Sequence, residues 1–294
     1  MHEILIISGK GGTGKTSLTA AFAHLSRSTV LCDLDVDAPD LHLVLDPKTS
    51  PKTPFISGFE AKINSDQCSG CGTCLKMCRF NAVKALNDTF SIDPFRCEGC
   101  GVCVHFCPYD AIAFNSKTCG YWRVSETRFG ALVHAQLYPG EENSGKLVAL
   151  LRREARQLTK SNGAEILLSD GPPGIGCPVI SALSGMDLVL IVTEPTPSGY
   201  HDLDRVAKLC QHFKIPAMVI INKCDLNPNV VKKIQSNCQA KEMVLLAQIP
   251  HSNDFFHAMA KGLAITEYTD SDVSRKLQIA WGKITKLVQG RKAA

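Results

Sequence analysis

The sequence contains no long uninterrupted apolar run. No stretch approaches the roughly 20 residues that a membrane-spanning helix needs, and the opening segment MHEILIISGK lacks the basic and apolar regions of an export signal. Charge of one sign is also scarce, because 32 Lys and Arg are nearly balanced by 28 Asp and Glu. A net charge of +4 does not indicate a dedicated nucleic-acid binder. We therefore expect a cytoplasmic protein that binds neither nucleic acid nor a membrane.

Cysteine, by contrast, is abundant, with 14 among 294 residues. Such a number fits disulfides or metal sites, but disulfides are rare in a reducing cytoplasm. The 45% hydrophobic content is enough for a sizeable core, in one large domain or in a large domain with a small one.

Short apolar runs predict an α/β fold with a mostly parallel sheet flanked by helices. The run EILIIS at 3–8 is followed by a glycine-rich turn, a helical pattern over 15–25 and a second run, STVLCD, at 28–33. This strand–loop–helix–strand order opens parallel α/β sheets. A buried helix segment is the alternative for such runs, but their length and Val/Ile content favour strands. Four later runs fit the same sheet, at 165–169, 187–192, 217–221 and 243–247.

Residues 58–116 interrupt this pattern. They hold eight cysteines and an internal repeat, in which DQCSGCGTCLKMCRFNAV aligns without gaps with FRCEGCGVCVHFCPYDAI. The α/β pattern resumes afterwards. We therefore interpret 58–116 as an inserted domain, which makes the main domain discontinuous, over 1–57 and 117–294.

The segment GKGGTGKT at 9–16 matches the phosphate-binding pattern GxxxxGK[ST], in the required context between a strand and a helix. Glycines let backbone N–H groups surround phosphate oxygens, Lys15 adds a full positive charge, and the Thr16 hydroxyl suits Mg²⁺. A glycine-rich turn without a ligand is the alternative. The predicted ATP-binding residues here are Gly11, Gly12, Thr13, Gly14, Lys15, Thr16 and Ser17.

A second lysine, Lys10, begins the same loop. In this respect the chain resembles the deviant Walker A P-loop ATPases, a family that includes MinD, ParA, Mrp-type carriers and the nitrogenase iron protein. The resemblance covers essentially everything outside the insert. It implies an ATPase that is slow without its partner and an ATP-dependent homodimer, in which Lys10 acts catalytically with Lys15 by reaching the partner's nucleotide. A solvated surface lysine is the alternative for Lys10.

Asp33 and Asp35 follow the second predicted strand, where this family places its first switch. By that resemblance, Asp35 orients the attacking water and Asp33 supports the Mg²⁺ site. Asp37 and Asp40 lie nearby and leave the assignment open.

Two later segments also resemble the family. Asp170 precedes GPPG, similar to the DTPPG switch of Mrp-type proteins, and would join Thr16 and Asp33 at Mg²⁺. Asn222 begins the segment NKCD, similar to the family's base-contacting segment, and would bond the adenine edge.

The eight cysteines of the insert form the pattern CxxCxxCxxxC twice, which is typical of bacterial two-cluster ferredoxins. In that pattern one turn supplies three thiolates and the other repeat supplies the fourth, so we expect two [4Fe–4S] clusters with crossed ligands. Zinc is the rival interpretation of paired CxxC units. Cluster one would take Cys68, Cys71, Cys74 and Cys107, and cluster two would take Cys78, Cys97, Cys100 and Cys103.

Cys177 lies seven residues after Asp170. In the nitrogenase iron protein a cysteine at this offset ligates a cluster that bridges two subunits, so the resemblance makes Cys177 a candidate interface metal or cluster ligand. Cys119 is the only candidate for a second ligand. A small loop residue without a ligand role is the alternative for Cys177.

The C-terminal segment 274–294 carries six Lys or Arg and no acidic residue, with apolar residues at helical spacing. A basic amphipathic membrane helix and the last packing helix of the domain both fit this pattern, and we favour the packing helix. The apolar positions are Leu277, Trp281, Ile284 and Val288, and the basic ones include Arg291 and Lys292.

The leading functional hypothesis is an ATP-hydrolysing iron–sulfur protein whose nucleotide state controls electron transfer, or cluster delivery, to a redox or Fe–S client protein. A positioning ATPase of the ParA and MinD kind, with the clusters as redox sensors or structural elements, is the alternative. A ligase related to dethiobiotin synthetase or cobyrinate amidating enzymes shares the core, but no motif indicates its substrate pocket.

Overall fold

The structure is a computed structural model that describes residues 1–290. The chain divides into two compact units. The first comprises Met1–Thr53, Trp122–Gln136 and the chain from Ser144 onward. The second comprises Pro54–Tyr121 and Leu137–Asn143, and the segment expected to be inserted, 58–116, lies within its first range.

The described residues form eleven strands and eleven helices, which are numbered in chain order. The strands are β1 His2–Ser8, β2 Thr29–Asp33, β3 Thr53–Ile63, β4 Val83–Leu86, β5 Thr89–Ile92, β6 Ile112–Thr127, β7 Gly130–Leu137, β8 Ile166–Pro173, β9 Leu188–Thr193, β10 Ala217–Asn222 and β11 Val244–Ile249. The helices are α1 Lys15–Leu25, α2 Leu41–Leu45, α3 Thr73–Met77, α4 Val102–His105, α5 Ser144–Ser161, α6 Cys177–Leu183, α7 Pro197–His212, α8 Pro228–Ala240, α9 Asp254–Ala260, α10 Ile265–Tyr268 and α11 Asp272–Gly290.

The first unit is built on a mostly parallel sheet with the order β11–β10–β9–β1–β8–β2–β7–β6. Every pair from β11 to β7 is parallel. The six predicted strands correspond to β1, β2, β8, β9, β10 and β11, and the central strands β1, β2 and β9 are almost entirely buried, as expected of near-continuous apolar runs. The predicted α/β fold with a mostly parallel sheet is confirmed.

Two helices of the first unit begin with a proline that follows a capping side chain. Thr196 Oγ1 accepts a hydrogen bond from the Gly199 N–H at 3.0 Å before α7, and Asn227 Oδ1 accepts from the Val230 N–H at 3.2 Å before α8. Proline at the first helical position needs no N–H donor, and the cap satisfies one that would otherwise be unpaired. Both helices therefore start where the sequence dictates.

The last helix, α11, packs against the core of the first unit. Leu277, Ile284 and Val288 are buried, and the Trp281 ring stacks on Phe22 of α1 with centroids 5.3 Å apart. The apolar face is thus occupied by protein contacts, which agrees with the packing helix. Arg291 and Lys292 lie outside the described residues. Between residues 1 and 290, no helix combines the length and the apolar character that crossing a membrane requires.

The second unit repeats one local structure twice. Gly72 and Gly101 precede the short helices α3 and α4 with φ of 72° and 74°, and Gly70 and Gly99 have φ of 71° and 59°. A Cβ at Gly99 would lie 2.1 Å from the Phe59 carbonyl oxygen, so the turn tolerates only glycine. The internal repeat of the sequence is therefore also a repeat of backbone conformation.

The apolar runs of the sequence do not predict five of the strands, namely β3, β4, β5, β6 and β7. The residues of β3 include Pro54, and proline is more typical of linkers than of strand interiors. Strand β6 is a polar 16-residue strand without a continuous apolar run. Strand β6 runs from the second unit into the first, and residues 128–129 connect it to β7. Long polar strands of this kind carry little periodic signal.

Candidate functional site

The phosphate loop leaves the carboxyl end of β1 and enters α1, in the middle of the sheet. Gly12 and Gly14 have φ of 78° and 92°, which lets the loop curl tightly before Lys15. Strands β1, β2, β8, β9 and β10 run in parallel, so the residues that follow them gather at one edge. Ligands of open α/β sheets bind at this edge.

The residues predicted for Mg²⁺ meet beside the loop. The Thr16 hydroxyl donates to Asp170 Oδ2 at 2.6 Å, and the Thr19 hydroxyl donates to Asp170 Oδ1 at 3.0 Å. Asp33 and Asp170 are register partners on β2 and β8, and each is 1% exposed. Thr16, Asp33 and Asp170 are therefore brought together.

The ionised forms of the buried Asp33 and Asp170 carboxylates require a compensating positive charge nearby. Burial raises the pKa of Asp33 well above its ordinary value, and the charge of Asp170 raises it further. Burial also raises the pKa of Asp170, against the opposing effects of Lys15 and of the Thr16 and Thr19 hydroxyls. A divalent cation would stabilise the ionised form of both groups, so this donor set fits Mg²⁺.

Asp35 lies beside the loop lysine, Lys15. Its Oδ2 is 3.8 Å from Lys15 Nζ, whereas Asp37 and Asp40 are exposed. Burial raises the pKa of Asp35 to about 6, although the charge of Lys15 opposes the shift. Asp33 instead accepts hydrogen bonds from the N–H groups of Asp35 and Leu41, at 3.1 and 3.2 Å, and so shapes the segment that carries Asp35.

Lys10 is engaged within its own chain. Its Nζ lies 2.5 Å from Glu194 Oε1 and 3.4 and 3.3 Å from the hydroxyls of Thr196 and Ser198. Glu194 follows β9 and is 9% exposed. Sequence reasoning missed Glu194, although its position just after a predicted strand next to β1 is the signal that could have found it.

Asn222 is tied to the phosphate loop. Its side-chain nitrogen donates to the Thr13 carbonyl at 2.8 Å, and its side-chain oxygen accepts from the Lys223 N–H at 3.0 Å. A Cβ at Gly14 would lie 2.6 Å from the same nitrogen. Asn222 therefore holds β10 against the loop, and its interaction with a base stays a prediction.

A cavity adjoins the loop at Gly14. It encloses about 620 Å³ of empty space, part of it open to solvent, within the range usual for small-molecule sites. Polar groups and exposed apolar side chains line it together, which suits a flat heteroaromatic ring with hydrogen-bonding edges. Its lining includes Ser17, Asn222, Lys223, Asn253, Phe256 and Met259.

In the second unit, the eight cysteines of the repeat line two separate cavities. These enclose about 330 and 360 Å³ of empty space. Each cavity receives three cysteines from one repeat and one from the other. The first is lined by Cys68, Cys71, Cys74 and Cys107, and the second by Cys78, Cys97, Cys100 and Cys103.

Within residues 1–290, no three or more His, Cys, Asp or Glu side chains are placed to hold a single metal ion. A tetrahedral zinc site needs four ligand atoms around one point, with Zn–S distances of about 2.3 Å. A cubane cluster instead binds each thiolate through a different iron atom, which spreads the four sulfurs apart. Ligation of clusters or of zinc by these cysteines stays a prediction.

The remaining candidate cysteines lie in different surroundings. Cys177 is exposed at the first residue of α6, and its interface role stays a prediction. Cys119 belongs to the second unit, is 1% exposed, and its thiol donates to the Ser57 carbonyl at 2.9 Å. Cys119 therefore offers no ligand to an exposed interface site in this conformation.

Comparison with known proteins shows the family of the chain. Residues 4–265 match the family described as the CobQ/CobB/MinD/ParA nucleotide binding domain. The chain belongs to this family. Membership confirms the predicted P-loop ATPase domain, whereas cluster ligation by the cysteine repeat stays a prediction.

Individual proteins are also similar to the chain. The chain is 38% identical over 228 residues, 76% of its length, to the uncharacterized protein MJ0578 of Methanocaldococcus jannaschii, of which the match covers 79%. The septum site-determining protein MinD of Pyrococcus horikoshii, solved with Mg-ADP, is similar with a TM-score of 0.60 and 16% identity, over 98% of this chain and 97% of that one. An ATP complex of McdA(D38A) from Cyanothece is similar with a TM-score of 0.61 and 15% identity, over 97% and 96%. These two structures show the shared fold.

Proposed function

We propose that the chain is an ATP-hydrolysing iron–sulfur protein, in which the nucleotide state of the first unit controls the redox or delivery activity of two [4Fe–4S] clusters in the second. The observation that carries the proposal is the pair of cavities, each lined by four cysteines drawn from both repeats. The first unit of the same chain carries a complete phosphate loop with its carboxylate partners.

The nucleotide half rests on the geometry beside α1. Lys15 and the N–H groups of the loop would hold the phosphates, and Thr16, Asp33 and Asp170 would hold Mg²⁺ directly or through water. Bound Mg²⁺ would neutralise charge that develops on the phosphates. Asp35 would accept a hydrogen bond from the attacking water. The complexes of P. horikoshii MinD with Mg-ADP and of McdA with ATP support this ligand.

Replacing Phe256 by alanine should weaken MgATP binding about fivefold, because an aromatic side chain contributes roughly 1 kcal/mol to packing on a flat base. Phe256 lines the cavity beside the loop and is 68% exposed. Leu226→Ala is the control, since Leu226 is also exposed, at 57%, but is not among the residues lining that cavity. Titration calorimetry would measure both, and equal affinities for Phe256→Ala and the parent would place the base elsewhere.

The cluster half rests on the second unit. Cys68, Cys71 and Cys74 would bind three irons of one cluster and Cys107 the fourth, and the other four cysteines would bind the second cluster. When bound, each cluster would supply one-electron transfer. The predicted partners are a second copy of the chain, bound in the ATP state, and a redox or Fe–S client protein. The proposed location is the cytoplasm, where thiolates stay reduced.

Coupling between the units is tested by potentiometry. After anaerobic reconstitution, the reduction potential of at least one cluster should differ between MgATP, MgADP and nucleotide-free protein. Lys15→Ala is the matched control, because it should keep both clusters and lose the nucleotide effect.

Identical cluster reduction potentials with MgATP, with MgADP and without nucleotide would contradict the proposed coupling of nucleotide state to electron transfer. Nucleotide-dependent sedimentation with DNA or lipid vesicles would then favour the positioning ATPase.

A further inference from the structure

Three lysines lie in or beside the phosphate loop, and each is paired with a carboxylate of the same chain. Lys15 Nζ is 3.8 Å from Asp35, Lys10 Nζ is 2.5 Å from Glu194 Oε1, and Lys223 Nζ is 3.1 Å from Glu194 Oε2. Lys223 also donates to the Gly12 carbonyl at 3.1 Å. One carboxylate, Glu194, thus pairs with two lysines, Lys10 in the loop and Lys223 after β10.

Glu194 occupies this position because of the sheet. It follows β9, whose Ile191 is the register partner of Ile7 in β1, so the residues after both strands emerge side by side. The side chain of Glu194 alone is 11% exposed, whereas the side chains of Lys10 and Lys223 are about 30% exposed. Burial raises the pKa of Glu194, but the hydrogen bonds from Lys10 and Lys223 outweigh it and hold the pKa below the ordinary value.

We propose that Glu194 is an internal counter-ion, which positions Lys10 and Lys223 in the nucleotide-free chain and competes with the nucleotide phosphates for them. This inference rests on the proposed function and deepens it. In the nucleotide-free chain, Glu194 holds both lysines at the loop. When phosphate oxygens arrive, they replace the carboxylate at one or both ammonium groups. The same exchange releases Lys10 from Glu194.

The sign of the effect follows from charge. A carboxylate beside the loop repels the phosphates and also occupies the cations that would attract them. If Glu194 instead served only to shape the loop through Lys223, its removal would weaken nucleotide binding. The two roles therefore predict opposite changes in affinity.

Glu194→Gln should bind MgADP roughly tenfold more tightly than the parent chain, as measured by titration calorimetry on the full-length protein. Glu194→Asp, which keeps the charge, should restore an affinity near that of the parent. The matched control is Glu165→Gln, which removes the same charge from an exposed residue just before β8, at the opposite edge of the sheet. It should leave the affinity unchanged.

A double-mutant cycle separates this role from a general structural one. In a chain that carries both Lys10→Met and Lys223→Met, the increase in MgADP affinity caused by Glu194→Gln should fall to less than about twofold. The ion pairs of Glu194 with the two lysines are already absent from that chain. Thermal unfolding and circular dichroism establish that each variant is folded.

An unchanged or weaker affinity of folded Glu194→Gln, or a tenfold gain that persists without the two lysines, would overturn the inference while the proposed function stands. A parent chain that binds neither MgATP nor MgADP would overturn the proposed function and this inference together.

Discussion

Cys107→Ala should halve the iron content of the reconstituted chain, from about eight atoms to about four, because two [4Fe–4S] clusters share the cysteines in crossed sets. Cys107 belongs to the second repeat, yet it lines the cavity of Cys68, Cys71 and Cys74. The loss should therefore fall on the cluster of the first repeat. Iron analysis and the EPR spectrum of the reduced protein would measure it, since one of two signals should disappear.

Pairs of substitutions distinguish crossed from local ligation. Cys107→Ala combined with Cys68→Ala should cost no more iron than either alone, whereas Cys107→Ala combined with Cys97→Ala should remove both clusters. Local ligation within each repeat predicts the reverse for these two pairs. Cys119→Ala is the control, because this buried thiol lines neither of the two cavities.

Asp35→Asn should lower the rate of ATP hydrolysis by about a hundredfold or more, the usual loss when a group that orients or deprotonates the attacking water is removed. MgATP affinity should stay the same or rise, because the amide no longer neutralises Lys15, which lies 3.8 Å from the Asp35 carboxylate. Single-turnover hydrolysis and calorimetric binding measure the two quantities separately.

Asp37→Asn is the matched control for Asp35→Asn. Asp37 is exposed, and it lies two residues further along the same segment, so its loss should change the rate less than threefold. Equal losses of rate for the two variants would show that Asp35 has no special role. A large loss of MgATP affinity in Asp35→Asn would instead assign Asp35 to nucleotide binding.

Much of the first unit follows from local sequence patterns. The apolar runs predicted β1, β2 and four later strands. A strand buried on both faces carries a continuous apolar run, which can be recognised in the sequence without knowledge of the neighbouring strands. The phosphate loop is equally local, because the glycines, Lys15 and Thr16 act within eight consecutive residues. The same holds for the repeat of Gly70 and Gly72 in Gly99 and Gly101, which imposes one backbone conformation twice.

The longer, polar strands escaped prediction for a physical reason. In β6, exposed, half-buried and buried residues follow one another irregularly, so no two-residue period marks the strand in the sequence. In β3, Pro54 reads as a linker residue, although a proline near the start of a strand is tolerated.

The sequence was sufficient for the chemistry of the phosphate loop and for the count and spacing of the cysteines, because these depend on residues that are close along the chain. The folded chain was needed for pairings between distant segments. Lys10 lies 184 positions before Glu194, and Thr13 lies 209 before Asn222, so no local pattern links them. Parallel strand order brings these residues to one edge of the sheet, and the charges that meet there determine which lysine is paired before the nucleotide arrives.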